Sequence, residues 1–388
     1  MRATAIRWLL GLSLLFSGAS GCGGEATPPV EAAEPLLTIE APAGFPPQRL
    51  SPDNPYSLEK ARLGRYLFYD RRLSGNETQS CGSCHQQSRA FSDGRATGLG
   101  STREDHPRGP MSLANVGYFS ALTWANPVQR ELERQALVPL FGERPVELGL
   151  VGREAEMLDR LRRDRRYQQM FPRAFPADAD PFTVANVTRA IAMFERTLVS
   201  ANSAFDRFSR GDATAMSQSA QRGNQLFFSE RLECFHCHGG YAFTDSVVSA
   251  NSAFDETAFH NTGLYNVDGR GAYPSQTTGV RDVTGRDEDM GRFRAPTLRN
   301  IAVTAPYMHD GSIATLDGVI DHYAAGGRTI ASGPNAGVGR DNPLKSGFIT
   351  GFTLTEQERR DLIAFLEALT DERFLHDPRY ADPFGNER

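Results

Sequence analysis

Apolar side chains recur at helical spacing in several stretches of this chain. Leu58, Leu63 and Leu67 share one side of a segment that Ser57 can cap. Residues 153–170 are charged and amphipathic. Val187, Ile191, Phe194 and Leu198 form a helical stripe between Asn186 and Leu198. Thr355-Glu356-Gln357-Glu358 is a capping box, and it opens a helix with Leu362, Phe365, Leu366 and Leu369 on one side. Between 240 and 350 glycine is frequent and strand-like alternation is scarce, which predicts long loops. The expected fold class is mainly α.

One apolar run, Trp8 to Phe16, follows Arg2 and Arg7 and is too short to span a bilayer. It has the form of the apolar region of a secretory signal. Ala19-Ser20-Gly21-Cys22 resembles a bacterial lipoprotein cleavage box, with Cys22 as the acylated first residue of the mature chain. A plain signal peptide is the alternative, and it would leave an exported protein with an unexplained thiol. Residues 22–48 contain Thr27-Pro28-Pro29, Ala41-Pro42 and Phe45-Pro46-Pro47, and they read as a tether. The remaining length suits two domains. With 42 basic and 47 acidic residues the net charge is −5, and losing Arg2 and Arg7 with a leader makes it more negative by two. That balance argues against nucleic acid as a partner.

Five cysteines are present, and four of them lie in Cys81-Gly-Ser-Cys84-His85 and Cys234-Phe-His-Cys237-His238. C-x-x-C-H is the attachment signature of a c-type haem: two thioethers to the porphyrin and a proximal histidine on the iron. Zinc needs four donors. His236 would complete such a set at the second motif, whereas the first has no fourth donor nearby. The surroundings repeat as well. Gly64-Arg65-Tyr66-Leu67-Phe68 precedes the first motif and Gly223-Asn224-Gln225-Leu226-Phe227 the second. Ala90-Phe91-Ser92-Asp93 follows the first and Ala242-Phe243-Thr244-Asp245 the second. Two cytochrome c-like haem domains related by an internal repeat, 49–212 and 213–388, are therefore expected, with haem replacing much of the core. Asn202–Asp206 and Asn251–Asp255 share the string Asn-Ser-Ala-Phe-Asp out of this register, which reads as coincidence.

With these motifs the chain resembles the bacterial di-haem cytochrome c peroxidase and MauG family from about residue 50 to residue 372. The stretch Ala295-Pro296-Thr297-Leu298-Arg299-Asn300 through Thr304-Ala305-Pro306-Tyr307-Met308-His309-Asp310-Gly311-Ser312 carries the resemblance most distinctively. Met111-Ser112-Leu113-Ala114-Asn115 and Leu122-Thr123-Trp124-Ala125-Asn126-Pro127 are most similar to the methanobactin-associated (MbnH-type) members. The resemblance implies that the haem held by His85 has an open face for hydrogen peroxide. No histidine stands near Gly100-Ser101-Thr102, where cytochrome c peroxidases keep a removable distal ligand; His106, before Pro107, is read as a solvated loop residue, with a displaced ligand as the alternative. Gln135, Pro139 and Glu147 match the family's distal Gln, Pro and Glu, with two extra residues between Gln135 and Glu147 that require a bulge. Glu147 would move the proton and Gln135 would hold peroxide or water.

Trp124 is the one tryptophan left once Trp8 leaves with a leader, and it matches the family's inter-haem position. Tyr323 stands where cytochrome c peroxidases keep the methionine ligand of the second iron, as in MauG; His322 and Met308 compete with it. A phenolate there favours the oxidised iron, where a thioether would favour the reduced one. Thr304 and Pro306 match carbonyls that hold calcium in the family, although Gly109 replaces the usual asparagine. The implied function is that of a periplasmic, lipid-anchored oxidoreductase. It uses peroxide to form a high-valent di-haem state and oxidises an aromatic residue of a partner protein by long-range electron transfer. The alternatives are a cytochrome c peroxidase fed by a small cytochrome or cupredoxin, and a non-catalytic electron carrier or sensor.

Overall fold

A helix that begins at Ser57 sets the frame of the first half of the molecule. Its hydroxyl accepts from Lys60 N, and the helix Leu58–Tyr69 buries Leu63, Leu67 and Phe68 against a second helix, Val184–Arg196, capped by Thr183. The two cross so closely at Gly64 that a methyl group there would overlap the Ala190 carbonyl oxygen. The second half repeats this crossing. Helix Gln218–Phe227 meets Glu356–Glu367, and a methyl on Gly223 would overlap the Asp361 carbonyl oxygen. The capping box at Thr355 forms as expected: its hydroxyl accepts from Glu358 N while the Glu358 carboxylate accepts from Thr355 N.

The computed structural model describes residues 36–385. The proposed leader, Cys22 and most of the tether lie outside them. The described end of the tether is docked, which corrects the expectation of a free linker over 22–48. Leu37 is buried in the first hydrophobic cluster, Gln48 Nε2 donates to Arg196 O, and Phe45 packs edge-on against Tyr118 and Tyr241. Among the described residues the sheet is a two-stranded antiparallel pair, Thr329–Ile330 with Gly337–Val338, so the mainly helical expectation holds. The charged stretch 153–170 is two helices, Glu154–Arg162 and Arg165–Ala174. Asp164 divides them because its carboxylate accepts from Arg166 N and Tyr167 N, an N-cap that restarts the helix.

Between the crossed helices the same local bonds occur twice. Each C-x-x-C-H run is a single helical turn, Cys81–Cys84 and Phe235–His238. Phe91 and Phe243, both at positive φ (63° and 51°), are completely buried behind these turns. Ser112 Oγ donates to Ala90 O at 2.6 Å, and Thr297 Oγ1 donates to Ala242 O at 2.6 Å. Asn115 and Asn300, three residues beyond, both adopt the left-handed conformation and lead into 3₁₀ turns. Ser112-Leu-x-Asn115 and Thr297-Leu-x-Asn300 thus form a further repeated unit. The Asn-Ser-Ala-Phe-Asp strings behave differently: Ser203 and Asp206 form a capping box, while Asp255 pairs with Arg49 from a loop.

The halves are tied by polar groups and by a chain crossover. Asn300 Nδ2 donates to Ser200 Oγ, Asn115 Nδ2 donates to Ser200 O, and the Asp371 carboxylate accepts from Ala201 N and Asn202 N. Beyond Asp371 the chain returns to the first cluster, where Phe374, Leu375, Tyr380 and Phe384 are buried.

Candidate active site

At the first motif the proximal histidine is set by a backbone oxygen. His85 Nδ1 lies 2.7 Å from Phe91 O, so Nδ1–H donates there and Nε2 is left as the free lone pair. Burial holds the ring's pKa below its ordinary value, which favours the neutral form a ligand needs. His238 Nδ1 faces Phe243 O in the same way at 3.3 Å. Cys81, Cys84, Cys234 and Cys237 are all free thiols rather than disulfides. His236 turns from the thiols: its Nε2 is 2.6 Å from Glu233 Oε2, and its ring stacks on Phe348 with centroids 4.4 Å apart. The fourth donor that a zinc reading of this motif requires is thereby engaged elsewhere.

Glu147 is held by its backbone from two sides. Ser101 N donates to Glu147 O, and the next residue, Leu148, donates its N–H to Pro139 O. This second bond brings Pro139 and Glu147 together and closes the loop that carries the two extra residues. Gln135, half-buried, ends the short helix Leu132–Gln135. Burial alone pushes the Glu147 carboxyl up to about 7, the range in which an acid–base group exchanges protons most readily near neutral pH. His106 is half-buried in its loop with Nε2 3.6 Å from Glu147 Oε1.

The second motif opens on a large, mostly apolar cavity whose wall includes Trp124, Cys234, Cys237, His238, Tyr323 and Met308. Tyr323 is on the helix Leu316–Ala324 and faces this cavity. His322, one position before it on that helix, is buried on another side near Thr262 and Arg328. Burial raises the pKa of the Tyr323 phenol, so its ionisation calls for a strong cation such as ferric iron. Trp124 Nε1 donates to Gly109 O at 2.8 Å, and Gly109 N donates to His309 O. Thr304 and Pro306 line the same cavity.

Three residues outside the sequence motifs, His260, Arg294 and Glu195, also belong to these surroundings. Asp245, the last residue of the second Ala-Phe-Thr-Asp loop, lies 2.5 Å from His260 Nε2. Burial opposes a charge on that imidazole, yet Asp245 and the Cys237 sulfur push its pKa up to about 10. Arg294, 2% exposed, lines the cavity with an Nη1 that has no partner among the described residues. A buried cation with an open donor fits an anionic propionate, and the free Nε2 of His238 and the paired thiols fit the rest of a c-type haem. Glu195, 6% exposed and near Cys81, is a carboxyl whose Oε2 has no partner among the described residues.

The family model described as di-haem cytochrome c peroxidase matches residues 58–214. The "Methylamine utilization protein MauG" of Methylophilus methylotrophus is 35% identical over 319 residues, covering 81% of this chain and 84% of that protein. This chain belongs to the di-haem cytochrome c peroxidase and MauG family. Its members include the "Cytochrome-c peroxidase IdrP1" of Denitromonas iodatirespirans, 35% identical and covering 96% of this chain and 95% of its own. A crystal structure of "a MauG-like protein associated with microbial copper homeostasis" matches with a TM-score of 0.88 and 51% identity, over 89% of this chain and 99% of that one. That likeness agrees with the expected methanobactin-associated type. Membership makes the chain an oxidoreductase acting on peroxide and implies two c-type haems.

Proposed function

We propose that this enzyme spends the oxidising power of hydrogen peroxide on an aromatic residue of a partner protein, by long-range electron transfer through Trp124. Haems held by His85 and His238 and by the two cysteine pairs would supply redox-active iron for the reaction with peroxide. Glu147 takes a proton from the inner peroxide oxygen and returns it to the outer one; Gln135 orients the peroxide, and Pro139 holds the loop beneath them. Peroxide, two protons and two electrons leave as two waters, with the electrons drawn from the partner. The observation that carries this reading is the tyrosine on the second centre's cavity wall: Tyr323 stands with Trp124 and His238 around one space. A hard oxygen donor at that iron suits a store of oxidising equivalents rather than a port for incoming electrons. Export to the periplasm, a lipid anchor at Cys22 and a calcium held by the Thr304 and Pro306 carbonyls complete the proposal. The peroxidases among the relatives favour a second reading, reduction of peroxide with electrons from a small redox protein.

The test is peroxide added to ferric holoprotein without any electron donor. A long-lived oxidised spectrum is expected, shortened by Trp124→Phe and lost as a shared state in Tyr323→Met. Two six-coordinate irons at rest, or no reaction until one haem is reduced, would favour the peroxidase reading instead.

A further inference from the structure

His106 approaches Glu147 with Nε2 3.6 Å from Oε1. Its other ring nitrogen, Nδ1, accepts from the Arg108 backbone N–H at 3.3 Å. A nitrogen that accepts carries no proton, so the neutral imidazole holds its proton on Nε2, aimed at the carboxyl. The loop fixes this aim. His106 N donates to Gly98 O, Gly98 N donates to Arg108 O, Gly100 N donates to Glu104 O, and Ser101 N donates to the Glu147 carbonyl itself. Ring and carboxyl are therefore held by one bonded unit rather than by a chance encounter of two surface chains.

The charges around the pair are few. Burial and the Arg108 charge lower the His106 pKa while the Arg108 backbone and Glu104 raise it, and the Arg108 guanidinium is itself paired with Asp282 at 2.6 Å. Burial is what raises Glu147. Glu147 also lies within electrostatic reach of Cys81 and Cys84, and Glu104 Oε2 accepts from Val146 N at 3.2 Å beside it.

We propose that His106 is a positioning residue for Glu147, holding Oε1 through its Nε2–H so that Oε2 is the oxygen that exchanges a proton with peroxide. The inference rests on the reading of Glu147 as the acid–base group. The proton leaves the inner peroxide oxygen for Oε2 and passes from Oε2 to the outer oxygen. The Nε2–H bond donates throughout and is not consumed, and no electron moves in this exchange. At 3.6 Å the pair is longer than a formed hydrogen bond. Such contacts in ligand-free sites commonly tighten once the substrate is bound.

Removing a donor from a carboxylate destabilises its charged form. In His106→Leu holoprotein the pH midpoint of the peroxide step should rise by about one unit, with a several-fold slower step near neutral pH. His106→Gln keeps an N–H donor and should restore most of the midpoint. Infrared difference spectra of the protonated carboxyl, titrated without peroxide, should show the same rise. Glu147→Gln should remove both the carboxyl band and the pH dependence. A wild-type midpoint in His106→Leu, while Glu147→Gln flattens the profile, would overturn the positioning role alone. An altered ferric spin state in His106→Leu would overturn it in favour of iron ligation. A Glu147→Gln profile identical to the wild type would sink the reading of Glu147 on which the inference stands.

Discussion

At the scale of single residues, the buried carboxyl of Glu195 gives the most direct prediction. It lies on the helix that crosses Gly64, near Cys81, and its Oε2 has no partner among the described residues. Burial pushes its pKa up to about 8 from the ordinary carboxylate range. Between those two values the native state binds a proton that the unfolded chain has released, so stability falls as pH rises through the window. The loss ends once the folded carboxyl has ionised as well. Thermal melting of holoprotein should show this decline between about pH 4.5 and about pH 8, on the order of a few kcal/mol in all, with no further loss above that window. Glu195→Gln should flatten it; equal slopes for both proteins would refute the assignment. Side chains of this kind show how unevenly a site is legible in sequence. The thiols and histidines of C-x-x-C-H announce themselves because the chemistry needs those atoms at that spacing. The oxygens that aim the histidines belong to Phe91 and Phe243 backbones, and a carbonyl has no residue identity to read. Tyr323 and His322 were both candidates because sequence neighbours point to different sides of a helix, and only the helix's rotation tells which one faces the cavity.

At the scale of elements, the repeated glycines are the structural meaning of Gly-x-x-Leu-Phe. The string was visible, but its partners were not, since Ala190 and Asp361 lie far along the chain and contribute a carbonyl rather than a side chain. Gly64→Ala and Gly223→Ala each force the crossing helices apart, and both helices carry core residues on the crossing face. Overpacking of this kind costs roughly 1–3 kcal/mol. A fall in melting temperature of several degrees is the expected result for each, whereas Ala at an exposed helical site such as Gln225 should change little. A Gly64→Ala protein as stable as the wild type would mean that the helices slide apart freely. The helix starts at Ser57 and Thr355 were legible because a cap is a local bond. The break at Asp164 was missed for the converse reason: the amphipathic pattern continues straight through it, while the cap that resets the helix is one residue wide.

At the scale of the whole molecule, chain order and spatial order part company after Asp371. Sequence order assigns the last residues to the second haem, yet Phe374, Tyr380 and Phe384 are buried with the first cluster. Phe374 sits 5.7 Å from Phe91, centroid to centroid, and 5.5 Å from Tyr380. Gln87, two residues beyond His85, donates to Phe374 O and Asp377 O. The C-terminal segment thus braces the loop whose Phe91 carbonyl orients His85. Emptying the Phe374 site by Phe374→Ala should cost about 3–5 kcal/mol, as buried aromatic truncations do. The functional consequence should be one-sided. Phe91 loses its packing partner, the His85 Nδ1 bond loosens, and the first haem's ferric spectrum and its rate with peroxide change. The Phe243 carbonyl behind His238 has its own packing from Phe205 and Phe365, so the second haem's spectrum should remain as it was. Spectra of the ferric variant at a temperature well below its melting point separate the two centres. Equal disturbance of both haems, or of neither, would show that the C-terminal segment stabilises the molecule without bracing the peroxide centre in particular.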